Sequence, residues 1–228
     1  MGATTLALFD LDHTLIPFDS GMAWTRFLVD RGVLASAAEA QYLEHCQQYV
    51  AGTLDIHAMH RSSFRPLRGY PRAEIARWQR EFGLEMAPRV PGPALDLVGG
   101  HLRAGHLCAI VTATSCLVAE PFARLFGIDH LVATRSASVD GSAHTAFTGE
   151  IDGLPCFREH KLTHVENWLA SRPGSATTLT GFSRSWFYSD SISDLPLLGA
   201  VSDPVAVRPD ERLRAHALAA GWPVLDLA

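Results

Sequence analysis

The amino-acid sequence predicts an α/β fold, in which a parallel sheet with crossover helices carries an all-helical insertion after its first strand. Three observations carry this reading. Short apolar runs of strand length alternate with helical patterns along most of the 228 residues. The stretch 17–88 breaks that alternation, with amphipathic helical patterns and no obvious strand. Turn residues punctuate the junctions, as where Pro91-Gly92-Pro93 precedes a helical pattern and Gly105 closes it. The expected division is a core of residues 1–16 and 89–228 and a helical cap of residues 17–88.

The elements follow in order. Leu6–Phe9 is the first strand. Helical patterns over Gly21–Arg31, Ala35–Ala51 and Arg72–Phe82 belong to the insertion, which is too long for a loop. Such an insertion should lie over the strand ends, where open α/β sheets bind ligands. A helix over 93–104, a strand over Leu107–Val111 and a helix over 116–126 come next. The stretch 130–158 reads as irregular, and "SVDGSAHTAFTGEIDG" within it alternates between turn glycines as a β-hairpin does. Helices over 160–171 and 210–220 and strands over Ser185–Ser189, Pro204–Val207 and Pro223–Leu225 complete the pattern.

Bulk properties exclude several function classes. With 47% hydrophobic and 19% charged residues the chain is expected to fold around a core. A net charge of −5 and scattered Lys and Arg argue against a nucleic-acid partner. No segment reaches the roughly 18 apolar residues of a membrane span. The N-terminus lacks a basic region and Asp10 interrupts its apolar run, so a signal peptide is not expected and the protein reads as cytoplasmic. Cys46, Cys108, Cys116 and Cys156 show neither CxxC nor zinc-finger spacing and read as reduced thiols. No HExxH occurs among the eleven histidines, and His57 and His60 are expected to face solvent or the cap interior.

The chemistry concentrates where strands end. In "LALFDLDHTL" the first strand ends on Asp10 and Asp12, two carboxylates that repel and cost free energy to bury without a positive partner. "LCAIVTATS" closes a strand on Thr112 and the small Ala113. "REHKLTHVENWL" places Lys161 at a helix start, and "WFYSDSISDLPLL" supplies Asp190 and Asp194. Parallel strands share one C-terminal edge, so these groups converge. Several carboxylates around one lysine suit a hard divalent cation, and Mg²⁺ fits because it takes few carboxylates and shares its shell with phosphate oxygens. One carboxylate can then attack phosphorus while another serves as acid and base. Thr112, the amide of Ala113 and Lys161 can hold phosphoryl oxygens. Asp194 also stands at the N-cap position of the short helix LPLL.

"DLDHT", the Thr112 strand end, Lys161 and "SDSISD" resemble, in order, the four motifs of the haloacid dehalogenase superfamily. The resemblance implies a Rossmann-like core with a parallel sheet and a cap after the first strand. It implies that Asp10 is a nucleophile forming an aspartyl-phosphate and that Asp12 is the acid and base. Thr112, Ala113 and Lys161 would bind phosphate, and Asp10, Asp12, Asp190 and Asp194 would serve Mg²⁺. A helical insertion in this place is similar to the phosphoserine-phosphatase-like subgroup. "FDLDHTLIPFDSGMAWTRFLV" and "DPVAVRPDERLRAHALAAGWPVLD" look closer to subfamily IB, which includes histidinol-phosphate phosphatases. Two positions depart from the pattern. Ser63, flanked by Arg61 and Arg65, stands where serine phosphatases carry a carboxylate-gripping arginine, and Ser193 stands where the last motif often has Asn. Asp19 falls where those enzymes have a substrate-facing Glu, and it reads equally as a helix N-cap. Asp19, Arg61 and Arg65 are therefore the candidate specificity residues. The expected activity is Mg²⁺-dependent hydrolysis of a small phosphate ester, histidinol phosphate first and phosphoserine second. A phosphotransferase and a non-catalytic phospho-ligand sensor are the rival classes, and monomer and homodimer are both open.

Overall fold

The computed structural model describes residues 5–141, 145–172 and 177–227. Six parallel strands form the main sheet: β1 (Thr5–Phe9), β2 (Leu107–Ser115), β3 (His130–Thr134), β6 (Arg184–Ser189), β7 (Asp203–Val207) and β8 (Val224–Leu225), in the order β3-β2-β1-β6-β7-β8. A separate antiparallel pair, β4 (Ser136–Ser138) and β5 (Phe147–Ile151), follows β3. Four helices lie between β1 and β2: α1 (Ser20–Asp30), α2 (Ala37–Val50), α3 (Ile56–Phe64) and α4 (Arg72–Met86). The remaining helices are α5 (Gly92–Arg103), α6 (Cys116–Phe126), α7 (His160–Ala170), the one-turn α8 (Leu195–Leu198) and α9 (Glu211–Ala220).

Continuous apolar strands follow from burial on both faces of a parallel sheet. Ala7 and Phe9 of β1 point into one core with Ile110 and Phe122, while Leu6 and Leu8 point into a second with Val165, Phe187 and Leu213. This alternation places the Asp10 end of β1 between two covered faces and beside the ends of β2 and β6.

The insertion shares the first of these cores. Trp24 and Phe27 of α1 and Phe82 of α4 pack edge to face, and Phe82 meets Phe122 of α6 at 5.8 Å between ring centroids. All four rings are almost fully buried. Gly83 permits the close approach of α4 to α6, because a Cβ there would stand 3.2 Å from Pro121 Cβ. By contrast, α2 buries only Tyr42.

Several expectations are corrected. Residues 130–134 are strand β3 of the main sheet rather than irregular chain. The segment β2 runs on to Ser115 instead of ending at Val111, with a register shift against β3 between Thr112 and Ser115. The hairpin is present as β4 and β5, and residues 142–144 of the expected stretch lie outside the described residues. The helix expected over Arg72–Phe82 continues to Met86. Among the described residues no helix is long and apolar enough to cross a membrane, and all four cysteines are free thiols.

Candidate active site

Three neighbouring strands deliver the acidic groups to one edge. Asp10 follows β1, Asp190 follows β6, and Thr112 lies near the end of β2. Lys161, in the first turn of α7, reaches across to donate to Asp10 Oδ1 and Asp194 Oδ2, each at 2.7 Å. Lys161, Asp10 and Asp194 are all more than nine-tenths buried. Burial works against the lysine's charge, but Asp10 and Asp194 outweigh it and hold its pKa well above the ordinary value. The lysine is thus a fixed cation between two carboxylates.

The remaining acids are less compensated. Burial, then the charges of Asp10 and Asp194, push Asp190 well above the usual carboxylate range. Asp194 Oδ1 is buried without a hydrogen-bond partner among the described residues. Asp194 makes no side-chain cap bond to α8, so its expected N-cap role is not realised and its carboxylate is spent on Lys161 and Ser189. One lysine among Asp10, Asp12, Asp190 and Asp194 leaves negative charge for which burial supplies no water. No ready-made set of three His, Cys, Asp or Glu metal ligands is present among the described residues. Mg²⁺ fits this chemistry, because it binds through one or two carboxylates and fills its shell with water and substrate oxygens.

Hydroxyl groups orient the acids. Thr14 Oγ1 lies 3.1 Å from both Asp10 Oδ2 and Asp190 Oδ1 and accepts the Asp190 N–H at 3.0 Å. Arg208 braces the turn carrying Thr14 by donating to the carbonyls of His13 and Thr14. Asp12 accepts the Ser20 N–H at 2.7 Å through Oδ1 and the Thr114 hydroxyl at 2.6 Å through Oδ2. It therefore faces the N-terminus of α1, where helix amides favour an anion. Burial and then the charge of Asp19 nevertheless raise its pKa to about 7. Thr112 is buried, its Oγ1 accepts the Thr114 N–H, and Thr134 holds the Ala113 carbonyl at 2.7 Å. Thr14, Ser20, Thr114 and Ser189 went unassigned in the sequence. For Thr14 a signal existed, since it is the last residue of "DLDHT".

These groups open into a cavity of about 920 Å³, roofed by the insertion. Asp10, Asp12, Thr112, Ala113, Lys161, Asp190 and Asp194 all line it, as does Asp19. Asp19 caps α1 by accepting the Met22 N–H, as its N-cap reading expected, and also accepts the Tyr42 hydroxyl at 2.9 Å. Gly21 makes this possible, since a Cβ there would collide with the Tyr42 hydroxyl. Arg61 and Arg65 are not among the lining residues. Both pair with Glu150 on β5, at 3.5 Å and 3.9 Å, whereas Ser63 lines the cavity. His60, expected toward solvent or the cap interior, is buried at the cavity wall and meets Ser136 at 3.2 Å.

The chain resembles known proteins along nearly its whole length. A histidinol-phosphatase of Neisseria meningitidis is 38% identical over 97% of this chain and 98% of its own. A phosphoserine phosphatase of Mycobacterium tuberculosis is 31% identical over 98% of this chain and 71% of its own. A solved structure from Bordetella pertussis, described as a protein with unknown function, covers both chains completely with 42% identity and a TM-score of 0.88. The haloacid dehalogenase-like hydrolase family matches residues 7–199, and the chain belongs to that family.

Proposed function

We propose that this hydrolase, a phosphomonoesterase, acts through an aspartyl-phosphate on Asp10 and prefers an amine-bearing ester without a carboxylate, with histidinol phosphate the first candidate. The observation that carries the phosphatase chemistry is the buried Lys161 held between Asp10 and Asp194, beside Asp12 and Asp190. Lys161, Thr112 and the amide of Ala113 gather the phosphoryl oxygens. A carboxylate oxygen of Asp10 attacks phosphorus, the bond to the leaving oxygen breaks, and Asp12 gives that oxygen its proton. Water then attacks the aspartyl-phosphate, Asp12 takes the water's proton, and Asp10 leaves as a carboxylate. Asp12, with a pKa of about 7 before substrate binds, is suited to both directions of transfer. Asp190, Asp10, the Asp12 carbonyl and Asp194 would hold Mg²⁺, which supplies charge neutralisation for the attack of one anion on another.

Leaving-group preference rests on the other wall. The Asp19 carboxylate has neutral hydrogen-bond partners, the Met22 amide and the Tyr42 hydroxyl, and shares the cavity lining with the apolar Trp24, Met59, Phe64 and Val118. The two arginines that would have matched a carboxylate are committed to Glu150. An ammonium group on an otherwise neutral leaving group suits that wall, and the N. meningitidis histidinol-phosphatase supports the choice. Phosphoserine adds a carboxylate that would approach Asp19 and is the second candidate. The test is phosphate release from both esters and from p-nitrophenyl phosphate, with Mg²⁺ and with EDTA. The expected result is Mg²⁺-dependent release favouring histidinol phosphate, with Asp19→Asn lowering that preference but sparing p-nitrophenyl phosphate. Preference for phosphoserine, or release undiminished by EDTA, would overturn the proposal.

A further inference from the structure

Ser191 and Ser193 lie between Asp190 and Asp194, and neither has a role in the chemistry above. Both meet Tyr49, near the end of α2 in the insertion. Its phenolic oxygen is 2.9 Å from Ser191 Oγ and 3.0 Å from Ser193 Oγ, and the two serine oxygens are 3.0 Å apart. Three hydroxyls in a closed ring each donate once and accept once, so every proton has a partner and each bond polarises the next.

The ring continues into the site. Ser191 Oγ accepts the Ser193 N–H, and the Ser191 N–H donates to Ser189 Oγ, both at 3.2 Å. Ser189 Oγ donates to Asp194 Oδ2 at 2.6 Å, the oxygen that also receives Lys161. On its other side the loop is fixed by the core alone, through Ile192 N–H to Asp210 Oδ2 and Asp210 N–H to the Asp190 carbonyl. The insertion thus grips one side of the loop and the core the other. Two adjacent contacts strengthen the grip: Arg158 donates to the Gly52 carbonyl at 3.1 Å, and the Tyr49 and Phe157 rings lie 5.9 Å apart.

We propose that Tyr49 is a positioning residue, which acts through Ser191 and Ser193 to give the Asp190–Asp194 loop its working geometry only when α2 is seated over the cavity. This rests on the phosphatase reading. It makes the final arrangement of the acidic loop depend on the insertion, so that a phosphoryl group is engaged chiefly after the cavity is roofed. The hydroxyl at position 193, where the family motif often has Asn, is then a partner for the Tyr49 phenol.

The experiment compares Tyr49→Phe, Ser193→Ala and the double variant by amide hydrogen exchange and by turnover. Phenylalanine keeps the ring against Phe157 and removes only the hydroxyl. Loss of one or two hydroxyl hydrogen bonds should speed exchange of the 191–194 amides about five- to tenfold and lower kcat/KM to a similar degree. The amides of α1 and α4 should be unaffected, and the double variant should go little further than either single one. Unchanged exchange at 191–194, or fully additive effects, would overturn the proposal. Should Tyr49→Phe unfold the insertion, Ser193→Ala read in the same way decides the question. Exchange is measured without substrate, so it tests Tyr49 even if no ester is turned over. A wild-type chain that releases no phosphate would instead fail the phosphatase reading.

Discussion

The insertion meets the rest of the molecule in two chemically opposite ways. On the α6 side, Trp24, Phe27, Phe82 and Phe122 form one aromatic cluster, and the insertion has no core of its own to separate there. Across the cavity, α2 meets the core through Tyr49, whose hydroxyl lies on Ser191 and Ser193 and whose ring lies near Phe157, and α3 adds His60 on Ser136, Arg61 on Glu150 and the buried Phe64. Apolar burial is non-directional and worth a few kcal/mol per large side chain, whereas a hydrogen bond such as those of Tyr49 nets about 1 kcal/mol. The aromatic cluster and Phe64 therefore anchor, and α2, which buries only Tyr42, is held more weakly. An enzyme that must admit a substrate and then exclude water needs both.

The contrast breaks if changes on the cavity side move stability more than turnover. Asp10→Asn is expected to show the largest effect, a loss of turnover on the order of 10⁴-fold or more, as for removal of other nucleophiles. Its melting temperature should stay near wild type, because Lys161 keeps Asp194 as a partner. Steady-state phosphate release and thermal melting check both halves. Next comes Phe82→Ala on the anchoring side, which should cost about 3–5 kcal/mol in denaturant unfolding while the folded fraction keeps its turnover. Activity lost without stability would show that α4 shapes the cavity instead of anchoring the insertion.

A third outcome concerns His60. Burial lowers its pKa to about 4, with the Glu150 backbone and carboxylate pulling upward and His57 downward. In the fold it stays neutral where an unfolded histidine, with pKa near 6.5, takes a proton. Its contribution is therefore present above pH 6.5 and is lost as pH falls toward about 4, by up to about 3 kcal/mol. Unfolding measured across that window should show the decline, and His60→Gln should flatten it. The smallest effect is expected at Arg61→Ala and Arg65→Ala. Their exposed pairs with Glu150 should be worth within about 1 kcal/mol, and turnover should change little. A large rise in KM for either would return it to the substrate's path.

Much of this was legible in the sequence because parallel topology does the convergence. Asp10, Thr112, Lys161 and Asp190 are far apart in the chain, yet each lies at or near the end of a strand or the start of a helix, and such positions share one edge of a sheet. What escaped were groups whose meaning lies in a partner. The pairing of Arg61 and Arg65 with Glu150 could not be read from the sequence, because Glu150 is 89 residues from Arg61 and nothing local announces it. The hydroxyls that orient Asp12 and Asp194 are common surface residue types, and only the fold makes them internal. Strand β3, "HLVAT", was missed because its five residues run straight into a hairpin and borrow their burial from β2 and α6.

The central claim is that Asp10 carries the phosphoryl group. It is tested most directly by mixing the protein with Mg²⁺ and histidinol phosphate, quenching in acid during turnover, and mapping the peptides by mass. The account predicts one phosphoryl group on the peptide containing Asp10, absent from Asp10→Asn and without turnover in that variant. Undiminished phosphate release by Asp10→Asn, or a phosphoryl group trapped on another residue, would contradict it.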